Sequence, residues 1–232
     1  MATSKTGDNT IVIAPRWKVM EVTIKGDSPL AMQSRPKSVI ENLNRKDNGL
    51  PQIKYKSTDW RRFIDSIHWI DEGKKPDTLD SDLTDDDLKN QFLTIEEEAR
   101  KNKEPLFYIP CEAFKESICK GAYRSKYAKD LVSMRGSFII MHEKAPIQYD
   151  SVEMEKVPTV NKNAKGAMVI SVYSKFNNWS TKLKIRYNEE LISAENLVNI
   201  ICNAGWTVGI LARRTELSFG KYGTYTATQV AK

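Results

Sequence analysis

Histidine and cysteine are scarce in this 232-residue chain, with two of the first and three of the second. His68 and His142 each sit on an apolar stretch, where a structural role is the plainer reading, so histidine-based acid/base chemistry has few places to reside. Cys111, Cys119 and Cys202 are odd in number and never spaced C-x-x-C, which argues against a disulfide framework or a cysteine zinc site. No P-loop, Gly-x-Ser-x-Gly elbow or dinucleotide fingerprint follows a strand pattern. Asp77, Asp80, Asp82, Asp85, Asp86 and Asp87 lack the spacing of a calcium loop and read as a solvated helix start. No metal, cofactor or catalytic residue is expected. Apolar runs such as Ile11 to Ala14 and Phe138 to Met141 fall far short of the ~20 residues that cross a bilayer, and MATSKTGDNT has no cationic start followed by an apolar stretch. A cytoplasmic protein without membrane contact is expected.

What is present is charge, unevenly placed. The chain has 36 Lys and Arg against 30 Asp and Glu, a net charge of +6, with 40% apolar and 28% charged residues. Residues 71–104 hold 12 acidic and 6 basic residues, which leaves 30 basic and 18 acidic residues elsewhere. A basic body with an acidic segment attracts polyanions, nucleic acid first among them.

Trp17 to Ile24 alternates as a strand. Ser34 to Lys56 reads as a long loop with a short helical stretch around Val39 to Leu43. WRRFIDSIHWI and the acidic stretch starting at Thr84, with its stripe Leu88, Phe92, Ile95 and Ala99, predict a helical, acidic insertion over residues 57–104 of a single domain spanning 1–232. LFYIPCEAFKESICKGAYR predicts an extended entry and a helix with Phe114, Ile118 and Ala122 on one face. SFIIMH predicts a strand, and Ala167 to Phe176 with Lys182 to Tyr187 predict two strands turning about Asn177-Asn178. Ser193 caps a helix stopped by Gly205, and Gly223 to Gln229 closes the chain as a strand. This order predicts an α+β chain with a split βαβ, ferredoxin-like antiparallel sheet carrying its helices on one face.

Three basic clusters carry the functional expectation. Lys115, Lys120, Arg124 and Lys126 run along the Phe114 helix and its end, interleaved with Tyr123 and Tyr127; a phosphate track and a solvated helix face are both compatible with them. Lys182, Lys184 and Arg186 alternate with Leu183, Ile185 and Tyr187, placing three cations on the outer face of one strand. Arg213, Arg214 and Lys221 bracket Phe219-Gly220-Lys221-Tyr222-Gly223, where glycines let a ligand approach the backbone and Phe219 and Tyr222 offer stacking faces.

Several motifs resemble the RAMP superfamily, the ferredoxin-like backbone subunits of CRISPR effector complexes and their phage-encoded relatives. Lys25-Gly26-Asp27-Ser28-Pro29-Leu30 is similar to the family's first strand and turn. FYIPCEAFKESICKGAYR is similar to its first helix, and Gly209 through Ser218-Phe219-Gly220-Lys221-Tyr222-Gly223 to the glycine-rich loop before its last strand, although Gly209-Ile210-Leu211-Ala212 lacks doubled glycines. The resemblance implies a non-catalytic protein that binds single-stranded RNA or DNA along a basic groove, several copies lying side by side in a homo-oligomer or larger assembly. Family members that cut use an aspartate in a loop after the first strand, for which Asp47 is the nearest candidate. The alternatives are a metal-independent endoribonuclease using His68 or His142, and a phage factor that binds a host defence protein through its charge asymmetry.

Overall fold

A computed structural model of the chain describes residues 16–161, 167–217 and 220–230. The elements are β1 (Trp17–Gly26), β2 (Leu30–Met32), α1 (Lys37–Asp47), α2 (Asp59–Ser66), a 3-10 turn (Glu72–Lys74), α3 (Asp85–Asn102), β3 (Tyr108–Pro110), α4 (Cys111–Arg124), α5 (Leu131–Ser137), β4 (Phe138–Ile140), β5 (Lys144–Gln148), β6 (Ser151–Asn161), β7 (Ala167–Asn177), β8 (Ser180–Asn188), α6 (Ala194–Thr207) and β9 (Tyr225–Gln229). Helices and antiparallel sheets together make the α+β class expected from the sequence. No helix among the described residues is long and apolar enough to cross a membrane.

The larger sheet has the order β3-β5-β8-β1-β9, and β4 and β5 occupy successive stretches of the same edge of β8. All of its pairings are antiparallel. Period-two alternation decides which side of it is buried. Met20, Val22 and Ile24 from β1, Leu183, Ile185 and Tyr187 from β8, and Tyr225 and Ala227 from β9 join Phe114 and Ile118 of α4 and Leu197, Ile200 and Ile201 of α6 in one core. Each Val, Leu, Ile, Phe or Met among them stabilises the fold by roughly 1.5–3 kcal/mol when taken fully out of water. Two small residues set the closeness of these layers. A Cβ on Gly121 would lie 2.5 Å from that of Ala204, and one on Gly205 would lie 1.9 Å from the Tyr225 carbonyl. Gly205 is therefore a packing position inside α6 rather than the stop predicted for it; the helix runs on to Thr207, and the left-handed residue is Gly209.

The two strands expected to turn about Asn177-Asn178 do not pair with each other. β7 pairs with β6 and β2, while β8 continues the same course and pairs with β1. β1–β2 and β7–β8 thus form one two-stranded ribbon that bends from the larger sheet into a smaller one of order β2-β7-β6. At the bend Asn178 adopts a left-handed conformation (φ 49°). The Trp179 indole donates to the Ser28 carbonyl at 2.9 Å and lies over Gly26, where a Cβ would come within 2.1 Å of the ring. The bend is a kink in a ribbon, so Asn178 serves a change of sheet and not a reversal of the chain.

Other boundaries differ from the expected ones for local reasons. Residues 37–47, expected as mostly loop, form α1, of which Asp47 is the last residue. SFIIMH divides: Ser137 ends α5, only Phe138–Ile140 is strand, and His142 lies beyond it. The acidic segment forms α3 through the expected Thr84 capping box with Asp87. Its Leu88, Phe92 and Ala99 are buried, and Phe92 packs on Phe63, Trp69 and Phe107 at ring separations of 5.3, 5.9 and 6.1 Å, so α2 and α3 share the body's core.

Candidate nucleic-acid interface

The helices α4 and α6 pack on one face of the larger sheet, and among the described residues the other face is left exposed along β1 and β8. β1 presents Trp17, Val19, Glu21, Thr23 and Lys25 to that face, and β8 presents Ser180, Lys182, Lys184 and Arg186, while Asn188 at the end of the same row is buried. The register sets Arg186 between Val19 and Ile139, and Lys184 opposite Glu21. Lys182, Lys184 and Arg186 are exposed and form no ion pair among the described residues. Alternate residues of a strand lie about 6.6–6.8 Å apart, so the three cations make an evenly spaced row. The Arg186 guanidinium stands over the exposed Trp17 ring at 5.2 Å, pairing a cation with an aromatic face. Exposed Val19, Ile139 and Met141 border the row. At its other end a groove of about 610 Å³ runs from Thr23, Ser180 and Lys182 to Arg100 and Lys103 at the C-terminal end of α3. Lys25, Lys182, Lys184 and Arg186 face one carboxylate, Glu21, on the two central strands.

On the helix side the expected cations are engaged within the molecule. Lys115 does not join a solvated row: its ammonium donates to the Phe138 carbonyl at 3.0 Å and lies over the Phe138 ring. Lys120, Arg124 and Arg214 converge on a single carboxylate, Glu216, at 3.4, 2.6 and 2.8 Å. Burial pushes the Glu216 carboxyl up, but its hydrogen bond with Arg214 and the three positive charges outweigh that and hold it below the ordinary glutamate value. Arg213 lies over the Tyr173 and Tyr222 rings and pairs with Glu155 at 3.0 Å, while the Tyr222 hydroxyl donates to the same Glu155 oxygen at 2.9 Å. Lys126 and Lys221 are exposed, and Phe219 lies outside the described residues.

The loop that holds this network is tightly specified. Gly209, Leu211, Arg213 and Gly223 all have φ between 55° and 70°. A Cβ on Gly220 would fall 1.7 Å from the Arg214 carbonyl and one on Gly223 would fall 2.2 Å from that of Ile210. Backbone bonds from Ala212 to Ala31, from Gly223 to Pro29 and from Asp27 to Thr224 fasten the loop to the β1–β2 turn.

Sequence reasoning does not single out Trp17, Lys25, Arg100 or Lys103. The same alternation that locates Lys182, Lys184 and Arg186 on β8 locates Trp17 and Lys25 on β1, whereas the place of Arg100 and Lys103 depends on how α3 packs. Burial, with a smaller contribution from the Lys75 charge, holds His68 below its ordinary value; its ring packs 5.4 Å from that of Tyr108. Burial pushes the Cys111 thiol up to about 12 and raises Cys119 as well, which leaves both as unreactive thiols at neutral pH. No group of three or more His, Cys, Asp or Glu among the described residues is placed to hold a metal ion. No protein-family model matches the chain, and no curated protein matches it in sequence.

Proposed function

We propose that this protein binds single-stranded nucleic acid without cutting it, using the exposed face of the larger sheet. The observation that carries the reading is the row of Lys182, Lys184 and Arg186, exposed and without an ion pair among the described residues, ending on an exposed Trp17 whose ring lies beneath Arg186. Cations spaced along a strand neutralise successive phosphates, and an accessible indole stacks on a base of any identity. A sheet face of this composition suits unstacked, flexible strands better than a duplex, whose bases are closed to stacking.

A ferredoxin-like, RAMP-type architecture is part of the same proposal. The strand order β9-β1-β8 followed by β4 and β5, with α4 and α6 together on the far face, supports it. On this reading the β6–β7 hairpin, α1 and the α2–α3 unit are additions around a split βαβ sheet, and copies of the protein lie along one strand.

The test is fluorescence anisotropy of labelled single-stranded RNA and DNA oligonucleotides over a range of salt, with the strand recovered and run on a denaturing gel. Binding that weakens with log salt at a slope of about −0.7 per phosphate neutralised, with an intact strand, is the expected result. Affinity indifferent to salt overturns the reading. A shortened strand makes the protein a nuclease, and its loss on replacing His68 or His142 would name the base.

A further inference from the structure

α1 and the extended segment that follows it form the least buried part of the described chain. No residue of α1 is buried, and Val39, Ile40, Leu43, Leu50 and Ile53 are each between 42% and 51% exposed. Val39, Ile40 and Leu43 fall on one side of the helix by their spacing. The segment is shaped by its own bonds: Asn42 exchanges two hydrogen bonds of 2.9 Å with the Ile53 backbone, and Arg45 donates to the Pro51 carbonyl at 2.8 Å. It joins the body at few points, chiefly where the Lys37 amide donates to the Asp65 carboxylate at 3.1 Å. An isolated helix of about 11 residues is marginal in water, so one held this lightly with an apolar stripe outward is a surface shaped for a cover.

Charge identifies the cover. Residues 35–56 carry six Lys and Arg against Glu41 and Asp47, and among the described residues only Lys37 of the six is ion-paired. Its partner, at 2.9 Å, is Asp77, the first of six aspartates in residues 77–87, a stretch with no basic residue. A basic apolar segment and an acidic one therefore lie side by side on one surface, joined at a single ion pair. Such a surface is complementary to its own copy turned about a two-fold axis.

We propose that two copies of this chain dimerise through these surfaces, α1 of each lying against residues 77–87 of the other with Ile40 and Leu43 buried near the axis. A two-fold contact closes at two copies, which separates it from stacking along a strand, and it does not depend on the nucleic-acid reading.

The test is sedimentation equilibrium of the full chain, free of nucleic acid, at low and high salt. A dimer that dissociates as salt rises is expected. The double variant Ile40→Ser with Leu43→Ser changes only exposed side chains, so it should keep its circular dichroism spectrum while its dimer dissociation constant rises at least tenfold. Lys46→Glu with Lys54→Glu should weaken the dimer, and adding Asp80→Lys with Asp82→Lys to the same chain should restore it, because both halves of each contact are then reversed. A monomer at every concentration overturns the proposal. So does a dimer indifferent to the Ile40 and Leu43 changes, or a charge reversal that the second reversal does not rescue.

Discussion

Trp17 and Glu216 are the residues on which the binding face and the loop network respectively turn. Trp17 is exposed, so Trp17→Ala should leave the unfolding midpoint nearly unchanged while weakening single-strand binding by the roughly 1–3 kcal/mol that one base stack contributes, a factor of about 5 to 150 measured by anisotropy. Glu216 predicts a pH effect. Its folded-state carboxyl lies below its ordinary value, so its contribution to stability is fully present above the unfolded-state value of about 4.3 and is lost as acid protonates it below that. Glu216→Gln should lower stability at neutral pH and make the fall in urea midpoint on acidification shallower. A variant as acid-sensitive as the parent would remove Glu216 as a cause. Neither role is legible from residue type alone. By sequence Lys120, Arg124 and Arg214 read as free phosphate ligands, because nothing in their spacing reveals the carboxylate that folding brings to them, some 90 residues along the chain in the case of Lys120 and Arg124.

Among the elements, β8 is the most legible in sequence and β6 the least. Strict alternation over Lys182 to Tyr187 assigns both faces of β8 from residue order alone, because a half-buried strand in a sheet covered on one side admits only one such assignment. Replacing Lys182, Lys184 and Arg186 together with alanine should therefore reduce the salt slope of binding by about 2. The fold should be untouched, since all three side chains are exposed. Pro158 hides β6, as proline cannot donate to a ladder; β6 is in fact an edge strand, where that loss is tolerated. The bend at Asn178 reads as a reversal because an Asn-Asn pair between two strand patterns has the composition of a hairpin turn. Only the pairing of the flanking strands tells a reversal from a kink, and the ribbon that they continue, β1 and β2, lies more than 100 residues away.

For the molecule as a whole, the acidic region is structural as well as electrostatic. Its apolar stripe, Leu88, Phe92 and Ala99, is legible from helical spacing, but its destination is not. Phe92 sits among Trp60, Phe63, Trp69 and Phe107, so α3 is a wall of the common core and cannot be removed as a loose insertion. Phe92→Ala should cost about 3–5 kcal/mol of unfolding free energy, read from urea or thermal denaturation of the whole chain. Unfolding confined to the α2–α3 unit, with the rest of the transition unmoved, would show instead that this unit stands apart. The order of the strands also bears on how the protein comes to be made. β1 is an interior strand of the larger sheet, yet its two neighbours, β8 and β9, lie more than 150 residues further along the sequence. At roughly 5–20 residues per second a ribosome leaves β1 without either strand partner for about 8–30 s. That part of the sheet forms only once β8 and β9 have been made, and a chain cut short before β8 holds an interior strand with nothing to pair with.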